Sequence, residues 1–293
     1  MELTGKPRRL FAIGGGEDRE HDCDVLRKFV DIAGGEASRI VVLTTASNKP
    51  EKYVGIYEKA FERIGVAKID FVHVFERRDA NNADCVKTVE NATGIFFTGG
   101  NQLHITSLMG GTDLQTAIFN AYQNNVIIAG TSAGAAMMGT GMILHGRPET
   151  NPRMGSIEMA TGTGFIDDCV IDTHFSERGR HGRLLTAVAH YPQYLGFGVD
   201  EDTAILVEND SLEVFGEGSV TVFDASQMTF SDIPYVKKDE SIALANVIIN
   251  VLSKGYKFDL KTRRFLEPED PTRGRAETNE MASAAEAGNS QSK

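Results

Sequence analysis

Short apolar runs alternate with segments of helical periodicity through the first two-thirds of the chain, and this alternation constrains the fold most. Runs such as RLFAI (9–13), RIVVLTT (39–45) and GIFFTGG (94–100) lead into small residues, whereas YVGIYEKAFERIG (53–65) repeats apolar residues every three or four positions. Apolar strands separated by amphipathic helices predict an α/β fold with a mostly parallel central sheet flanked by helices. Ligands bind beyond the carboxyl ends of such strands, so we expect a functional site in the loops that follow them.

The pattern changes from about residue 195. The stretch 204–230 reads as short strands around polar turns, which predicts additional antiparallel strands toward the C-terminus. The segment ESIALANVIINVLSKG (240–255) has helical periodicity and a final glycine, so we predict a helix there. After about residue 267 large apolar residues nearly vanish, which predicts a disordered tail over 267–293. The chain is thus predicted to form a single α/β domain over 1–266.

Composition narrows the function classes. The formal net charge of −11 at pH 7 disfavours nucleic acid as a partner. The sequence has no apolar stretch long enough to span a membrane, and its start lacks the apolar core of a secretory signal. The three cysteines, Cys23, Cys85 and Cys169, are far apart and odd in number, which is typical of reduced thiols rather than of a disulfide framework. We therefore predict a cytoplasmic location and no membrane partner.

The apolar run NVIIAG (125–130) leads directly into a serine flanked by small residues. Residues 130–134 read Gly-Thr-Ser-Ala-Gly, the G-x-S-x-G pattern of a nucleophile elbow centred on Ser132. The turn pushes one side chain into an exposed, strained position, so its neighbours must be small. We place the start of the next helix near Ala135, which would bring its first amides close to the serine. The alternative is a glycine-rich turn in which the serine only caps a helix. The strand before it and the helix after it favour a nucleophile.

A nucleophilic serine needs a base, and four histidines follow Ser132. His174 ends a strand-like run, where site residues of parallel sheets collect, so we favour it as the base. His145 stays open as an alternative. His181 and His190 are more typical of the start and the end of a helix.

The third member should be a carboxylate that orients the imidazole. Asp172 lies two positions before His174, and residues i and i+2 of a strand share a face. Asp200, Glu201 and Asp202 follow another apolar strand. The residues alone leave these four acids open.

The glycine-rich stretch GGGEDRE (14–20) does not fit a dinucleotide-binding loop. It lacks the G-x-G-x-x-G spacing, and Glu17 and Asp18 would repel a pyrophosphate. We interpret it as a tight turn at the carboxyl edge of the sheet. Neither H-E-x-x-H nor another metal-ligand spacing occurs, so we predict no cofactor and no metal.

Four motifs taken together resemble the cyanophycinases. They are FFTGGNQ, GTSAGA, IDTHFSERGRHGRLL and GVDEDTA, in this order, and the resemblance covers about residues 10–224. Cyanophycinases are serine exopeptidases of the aspartyl-dipeptidase-like group. The resemblance implies a class I glutamine amidotransferase-like fold, a homodimer, and the hydrolysis of cyanophycin to β-Asp-Arg dipeptides. Cyanophycin has a polyaspartate backbone with an arginine on each side chain.

The resemblance also implies roles for residues of this chain. The nucleophile corresponds to Ser132, the base to His174 and the acid to Glu201, while the amides of Gly100 and Ala133 would hold the oxyanion. The implied substrate-binding residues are Gln102, Asp172, Arg178, Arg180 and Arg183. Guanidinium groups suit this task because they bind carboxylates through two parallel hydrogen bonds.

Two positions depart from the family pattern. Thr173 stands where a glutamine is expected beside the base, and Asn101 stands where an aspartate is expected in the oxyanion loop. Threonine is shorter than glutamine and donates a hydrogen bond from a hydroxyl instead of an amide. Strict specificity for cyanophycin is therefore in question, whereas the triad is not. An α-aspartyl or isoaspartyl dipeptidase is therefore one alternative. A non-catalytic amidotransferase-like module that binds an acidic ligand is another.

Overall fold

The structure is a computed structural model that describes residues 8–147 and 151–267. The predicted tail lies outside the described residues from position 268 onward. The helices are α1 (Asp24–Ala33), α2 (Pro50–Ile64), α3 (Ala83–Glu90), α4 (Gln102–Met109), α5 (Asp113–Gln123), α6 (Ala133–Ala136) and α7 (His181–His190). Within the described ranges, no helix combines the length and the hydropathy that crossing a bilayer requires.

Strands make up most of the remaining regular structure. They are β1 (Arg9–Ile13), β2 (Arg39–Leu43), β3 (Lys68–Val72), β4 (Gly94–Phe97), β5 (Ile127–Thr131), β6 (Gly139–Gly146), β7 (Ile157–Thr161), β8 (Ile166–Thr173), β9 (Leu195–Val199), β10 (Thr203–Glu208), β11 (Ser211–Gly216), β12 (Ser219–Asp224), β13 (Phe230–Ser231), β14 (Leu244–Ala245), β15 (Ile248–Ser253), β16 (Lys257–Asp259) and β17 (Arg264–Leu266).

The larger sheet has nine strands in the order β17-β16-β11-β10-β1-β5-β4-β2-β3. The five strands from β1 to β3 in this order run parallel, and they correspond to the apolar runs of the sequence. The other four extend the sheet beyond β1 as antiparallel strands. The predicted α/β class and the additional antiparallel strands toward the C-terminus are both confirmed.

A second sheet of six strands, in the order β15-β12-β9-β8-β6-β7, packs against the first. Strand β8 lies parallel to both β6 and β9, and the other pairings are antiparallel. The chain passes from one sheet to the other, since β10 and β11 belong to the first and β12 belongs to the second. The sequence did not predict this division, because apolar patterning identifies a strand but does not select its partner.

Alternate side chains of the nine-stranded sheet enter two different cores. On one face, Phe11 packs with Phe29 of α1 and Phe61 of α2. On the other face, Leu10 belongs to a cluster that includes Phe197 of the second sheet. Helix α7 covers the outer face of that second sheet. The cluster shared by both sheets favours one domain, and the boundaries 1–266 stay a prediction.

The helix predicted over residues 240–255 is wrong. The structure forms β14 and β15 there, and β15 pairs along its whole length with β12, from Ser253 opposite Ser219 to Ile248 opposite Asp224. Isoleucine and valine dominate this segment, and β-branched side chains favour strands over helices. The pairing with β12 is therefore compatible with the local preference, and the helical spacing of the apolar residues is coincidental.

The carboxyl ends of strands from both sheets meet at one place. Ser132 directly follows β5, His174 directly follows β8, and Glu201 lies two positions after β9. The end of β1 and the loop after it join them, because the carbonyl oxygens of Ile13 and Gly14 accept hydrogen bonds from the amides of Ser132 (3.0 Å) and His174 (2.7 Å). The residues predicted for the functional site thus lie together in the loops that follow the strands.

Candidate active site

Ser132 forms a sharp turn between β5 and α6, with φ 52° and ψ −112°. A Cβ atom at Gly130 would lie 2.5 Å from the carbonyl carbon of Gly134, and one at Gly134 would collide with the end of β4. Both flanking glycines are therefore required by packing, as the elbow pattern predicts. The following helix begins at Ala133 and is a single turn of four residues, so the predicted start near Ala135 is wrong.

His174 leaves β8 in the left-handed backbone region, with φ 48°. Its Nε2 lies 2.8 Å from Oγ of Ser132, so these two groups share a hydrogen bond. His145 lines the same cavity, but the serine hydroxyl contacts His174. The two remaining later histidines begin and end α7, as expected.

Glu201 is the acid that contacts the imidazole, with Oε1 at 2.5 Å from Nδ1 of His174. The other three acids have different partners. Asp200 is buried and accepts hydrogen bonds from two serines, Asp202 accepts one from the loop after β1, and Asp172 pairs with arginines. Because a carboxylate accepts, Nδ1 donates to Glu201 and Nε2 is left as the acceptor for the serine hydroxyl.

The three glycines after β1 contact this triad directly, and their role was not predicted. A Cβ atom on Gly15 would lie 2.5 Å from Nε2 of His174, and one on Gly16 would lie 2.7 Å from Oε2 of Glu201. Both glycines also have positive φ, of 98° and 59°. The glycine run directly after a strand is the sequence signal that pointed to this location, but it was interpreted only as a tight turn.

Two backbone amides lie beside the serine. Gly100 and Ala133 line the same cavity as Ser132, and within residues 8–147 and 151–267 no protein acceptor is found for either amide. Gly100 has φ 145°, and a Cβ atom there would lie 2.6 Å from the carbonyl carbon of Ala46. Two unpaired amides next to a nucleophile can hold a tetrahedral oxyanion.

Asn101, one of the two departures from the family pattern, caps a helix. Its Oδ1 accepts a hydrogen bond of 2.9 Å from the amide of Leu103 in the first turn of α4. Asparagine and aspartate serve equally well as helix N-caps. The substitution is therefore compatible with the same loop structure.

The site opens into a cavity of about 290 Å³. Gln102 lines it, and the side-chain nitrogen of this residue donates to the carbonyl oxygens of Ile143 (2.6 Å) and Leu144 (3.2 Å) of β6. These two hydrogen bonds hold the side chain of Gln102 against β6. The predicted residues Asp172, Arg178, Arg180 and Arg183 are brought together in the same lining.

Asp172 is paired on both of its oxygen atoms. Arg183 donates from Nε to Oδ2 at 2.6 Å and from Nη2 to Oδ1, while Nη1 of Arg180 lies 3.2 Å from Oδ1. Arg180 also donates to the carbonyl oxygen of Thr173. Burial, opposed by the charge of Asp172, lowers the pKa of Arg180 to about 10, so it stays cationic at neutral pH. These contacts favour a role for Asp172 in holding the arginines.

Replacing Asp172 by asparagine is expected to lower the free energy of unfolding by about 3 kcal/mol, because it leaves buried guanidinium charge without its counterion. The side chain of Asp172 is only 2% exposed. Urea unfolding at pH 7 measures the change. Glu208→Gln is the matched control, since it removes the acid from the half-exposed pair with Arg9 and should cost less than about 1 kcal/mol. Equal losses for both variants would contradict a special role of the buried pair.

A larger cavity, of about 600 Å³, lies elsewhere and is lined by residues such as Arg8, Asp167 and Lys261. It includes none of the predicted site residues, whereas Ser132 and His174 line the smaller cavity. In the part of the chain that the structure describes, no three His, Cys, Asp or Glu side chains are grouped to hold a metal ion.

Comparisons with known proteins identify the family of this chain. Residues 10–215 match the family described as Peptidase family S51. The cyanophycinase of Nostoc sp. is 36% identical over 259 residues, which cover 88% of this chain and 87% of that protein. The cyanophycinase of Geminocystis herdmanii is 34% identical over 257 residues, which cover 87% and 94%.

A solved structure is similar in its fold. The crystal structure of a peptidase from an acI-B1 Actinobacterium matches with a TM-score of 0.65 at 20% identity, covering 88% of this chain and 100% of that one. This likeness confirms the predicted class I glutamine amidotransferase-like fold class.

Proposed function

This chain belongs to peptidase family S51, and on that premise we propose that it is a serine exopeptidase that hydrolyses cyanophycin to β-Asp-Arg dipeptides. The relatives named cyanophycinase, which match most of its length, support this substrate. One observation carries the catalytic assignment. The hydroxyl of Ser132 contacts the imidazole of His174, whose other nitrogen contacts the carboxylate of Glu201.

The proposed reaction is a two-step acyl transfer at the backbone amide between successive aspartates. Oγ of Ser132 attacks the carbonyl carbon while Nε2 of His174 accepts its proton, and Glu201 stabilises the imidazolium that forms. The carbon–nitrogen bond then breaks, and His174 returns the proton to the leaving amine. Water then attacks the acyl-serine, His174 accepts a proton from it and returns the proton to Oγ of Ser132, and the acyl fragment leaves as a free carboxylate. One of the two released fragments is the β-Asp-Arg dipeptide.

The negative oxygen of the tetrahedral intermediate would be held by the amides of Gly100 and Ala133. The position of these two residues in the cavity wall beside Ser132 supports their role as an oxyanion hole. Donors of this kind are in place before the reaction, so no reorganisation is needed when charge develops. Loss of one such donor typically lowers kcat by about 10²–10³-fold.

The charge of the cavity suits this substrate. Three arginines, Arg178, Arg180 and Arg183, and one carboxylate, that of Asp172, line the cavity of a chain whose net charge is −11. Among the described residues, Arg178 has no ion-pair partner. Each β-Asp-Arg unit has a free carboxylate, which a guanidinium binds through parallel hydrogen bonds. We therefore propose that Arg178 binds the substrate carboxylate, with Gln102 as a second binding residue of the same cavity.

Incubation of the purified protein with insoluble cyanophycin, followed by mass analysis of the supernatant, tests the proposal. Release of β-Asp-Arg is the expected result. Hydrolysis of α-Asp or isoaspartyl dipeptides in its place would support the dipeptidase alternative. That alternative is kept because Thr173 stands where the family pattern has a longer glutamine. Failure of a serine-directed phosphonate to label Ser132 would favour a non-catalytic binding module.

We propose in addition that the protein is a cytoplasmic homodimer. The homodimer rests on the resemblance to cyanophycinases, and the three free thiols of Cys23, Cys85 and Cys169 support a reducing compartment. Light scattering coupled to size-exclusion chromatography should give a mass near twice that of the 31.9 kDa chain. A mass equal to one chain at micromolar concentration would contradict the dimer.

A further inference from the structure

The carboxylate of Glu17 is buried beside the nucleophile turn and has no part in the reaction described above. Glu17 lies in the loop after β1 and is 3% exposed. Its Oε2 accepts a hydrogen bond of 2.6 Å from Oγ1 of Thr131, and its Oε1 accepts one of 2.6 Å from the hydroxyl of Tyr57. Nε of Arg19 lies 3.9 Å from Oε1. A buried acid with this set of partners requires an explanation.

Both oxygen atoms of Glu17 are hydrogen-bond acceptors. Burial raises the pKa of Tyr57 well above its usual value, and the nearby carboxylate of Glu17 adds to the effect, so the phenol keeps its proton and donates. Thr131 donates to the other oxygen, and the guanidinium of Arg19 supplies the nearest positive charge. Both O···O distances, at 2.6 Å, are at the short end of the range for O–H···O hydrogen bonds. The contact between Glu17 and Thr131 is therefore close.

Thr131 is the residue directly before Ser132. It ends β5, and the next residue takes the positive φ of 52° that a non-glycine residue adopts only under constraint. The amide of Ser132 is held by Ile13, at the end of β1, and Glu17 lies in the loop that follows β1. Contacts from the end of β1 and from this loop thus hold the chain directly before the strained position.

We propose that Glu17 is a positioning residue for the nucleophile. Its carboxylate holds Thr131, and through Thr131 it keeps the Ser132 hydroxyl within hydrogen-bond distance of the base. This inference rests on the proposed function of Ser132. Because Glu17 acts on the geometry of attack and lies outside the cavity lining, loss of the contact should lower kcat and leave KM unchanged.

A purely structural role makes a different prediction. Glu17 also connects the sheet to α2 through Tyr57, so it contributes to packing. If that were its whole role, its loss would lower the unfolding temperature but leave kcat per folded molecule unchanged. The readouts that separate the two roles are the kcat–KM split and the rate at which a fluorophosphonate labels Ser132.

Thr131→Val, Thr131→Ser and Glu17→Gln form the test. Valine keeps the shape of threonine and removes its hydroxyl, so kcat and the labelling rate should fall about 10-fold or more, in keeping with the roughly 10²-fold cost of a displacement of 1 Å. Serine restores the hydroxyl and should recover the parent rate to within about twofold. Glutamine at position 17 has only one side-chain oxygen and cannot accept from both Tyr57 and Thr131 as Glu17 does, so Glu17→Gln should also lower kcat and the labelling rate. The double variant Glu17→Gln/Thr131→Val should be no slower than the slower single variant, because both remove one contact.

Thr112→Val is the matched control. Thr112 is a buried threonine whose hydroxyl caps α5, away from the cavity, so this variant should lose stability but keep the labelling rate. If the fluorophosphonate labels Ser132 of folded Thr131→Val protein within twofold of the parent rate, the inference is overturned. The Thr131→Val result also decides the test if Glu17→Gln does not fold. A parent protein that the fluorophosphonate does not label would overturn the proposed function itself.

Discussion

Replacing Ser132 by alanine is expected to lower kcat by about 10⁴-fold or more while the protein stays folded. The substitution removes only Oγ, the atom that lies 2.8 Å from Nε2 of His174. Alanine keeps the Cβ atom, so the constraint at φ 52° is unchanged and the small neighbours Gly130 and Gly134 still fit. The loss should therefore lie in catalysis and not in folding.

Initial rates of dipeptide release from cyanophycin measure this effect, and thermal unfolding checks that the variant is folded. Ser107→Ala is a suitable control, because Ser107 is an exposed serine of α4 whose hydroxyl only bonds carbonyl oxygens of its own helix. It should keep full activity. Turnover by Ser132→Ala protein at more than about one-tenth of the parent rate would exclude Ser132 as the nucleophile.

Replacing Gly15 by alanine should be the second most damaging change, with kcat lowered by about 10²-fold or more. The added Cβ would lie 2.5 Å from Nε2 of His174, a separation that packed atoms do not reach, so the imidazole must move away. A moved imidazole loses its hydrogen bond to Ser132. KM should change little, because Gly15 does not line the cavity.

Gly65→Ala separates this collision from the strain of a side chain at positive φ. Gly65 has φ 94°, close to the 98° of Gly15, and a Cβ atom there would meet nothing within 4 Å. The backbone strain of alanine should therefore cost about 1 kcal/mol of stability at either position, whereas kcat should fall only in Gly15→Ala. Steady-state kinetics with both variants at matched folded fractions measures the difference. A parallel loss of kcat in Gly65→Ala would contradict the steric explanation.

Part of this site was accessible from local sequence patterns. An apolar strand that ends in a serine between two glycines predicts a sharp turn, because bulkier neighbours would collide with the backbone around it. His174 was favoured over three other histidines because it ends a strand, and the structure brings it to Ser132.

The acid was a different matter, since the residues alone left Asp172 open beside Asp200, Glu201 and Asp202, and only the resemblance to the cyanophycinases pointed to Glu201. Residues two apart share a face only while the chain stays in a strand. Strand β8 ends at Thr173, and His174 has φ 48°, so its side chain leaves that face and meets Glu201. Asp172 remains buried with Arg180 and Arg183. The positive φ of His174 therefore explains why its imidazole contacts Glu201 and not Asp172.

The sequence by itself determined the strands of the parallel sheet and the turn at Ser132, because both depend on side chains within a few positions of one another. Only the tertiary structure decided which acid meets His174, why Gly15 and Gly16 lack side chains, and what Glu17 contacts. These depend on a second sheet that brings the ends of β8 and β9 against the loop after β1, more than 150 positions earlier in the chain. Packing at that distance selects partners by shape and charge, and no local pattern encodes it.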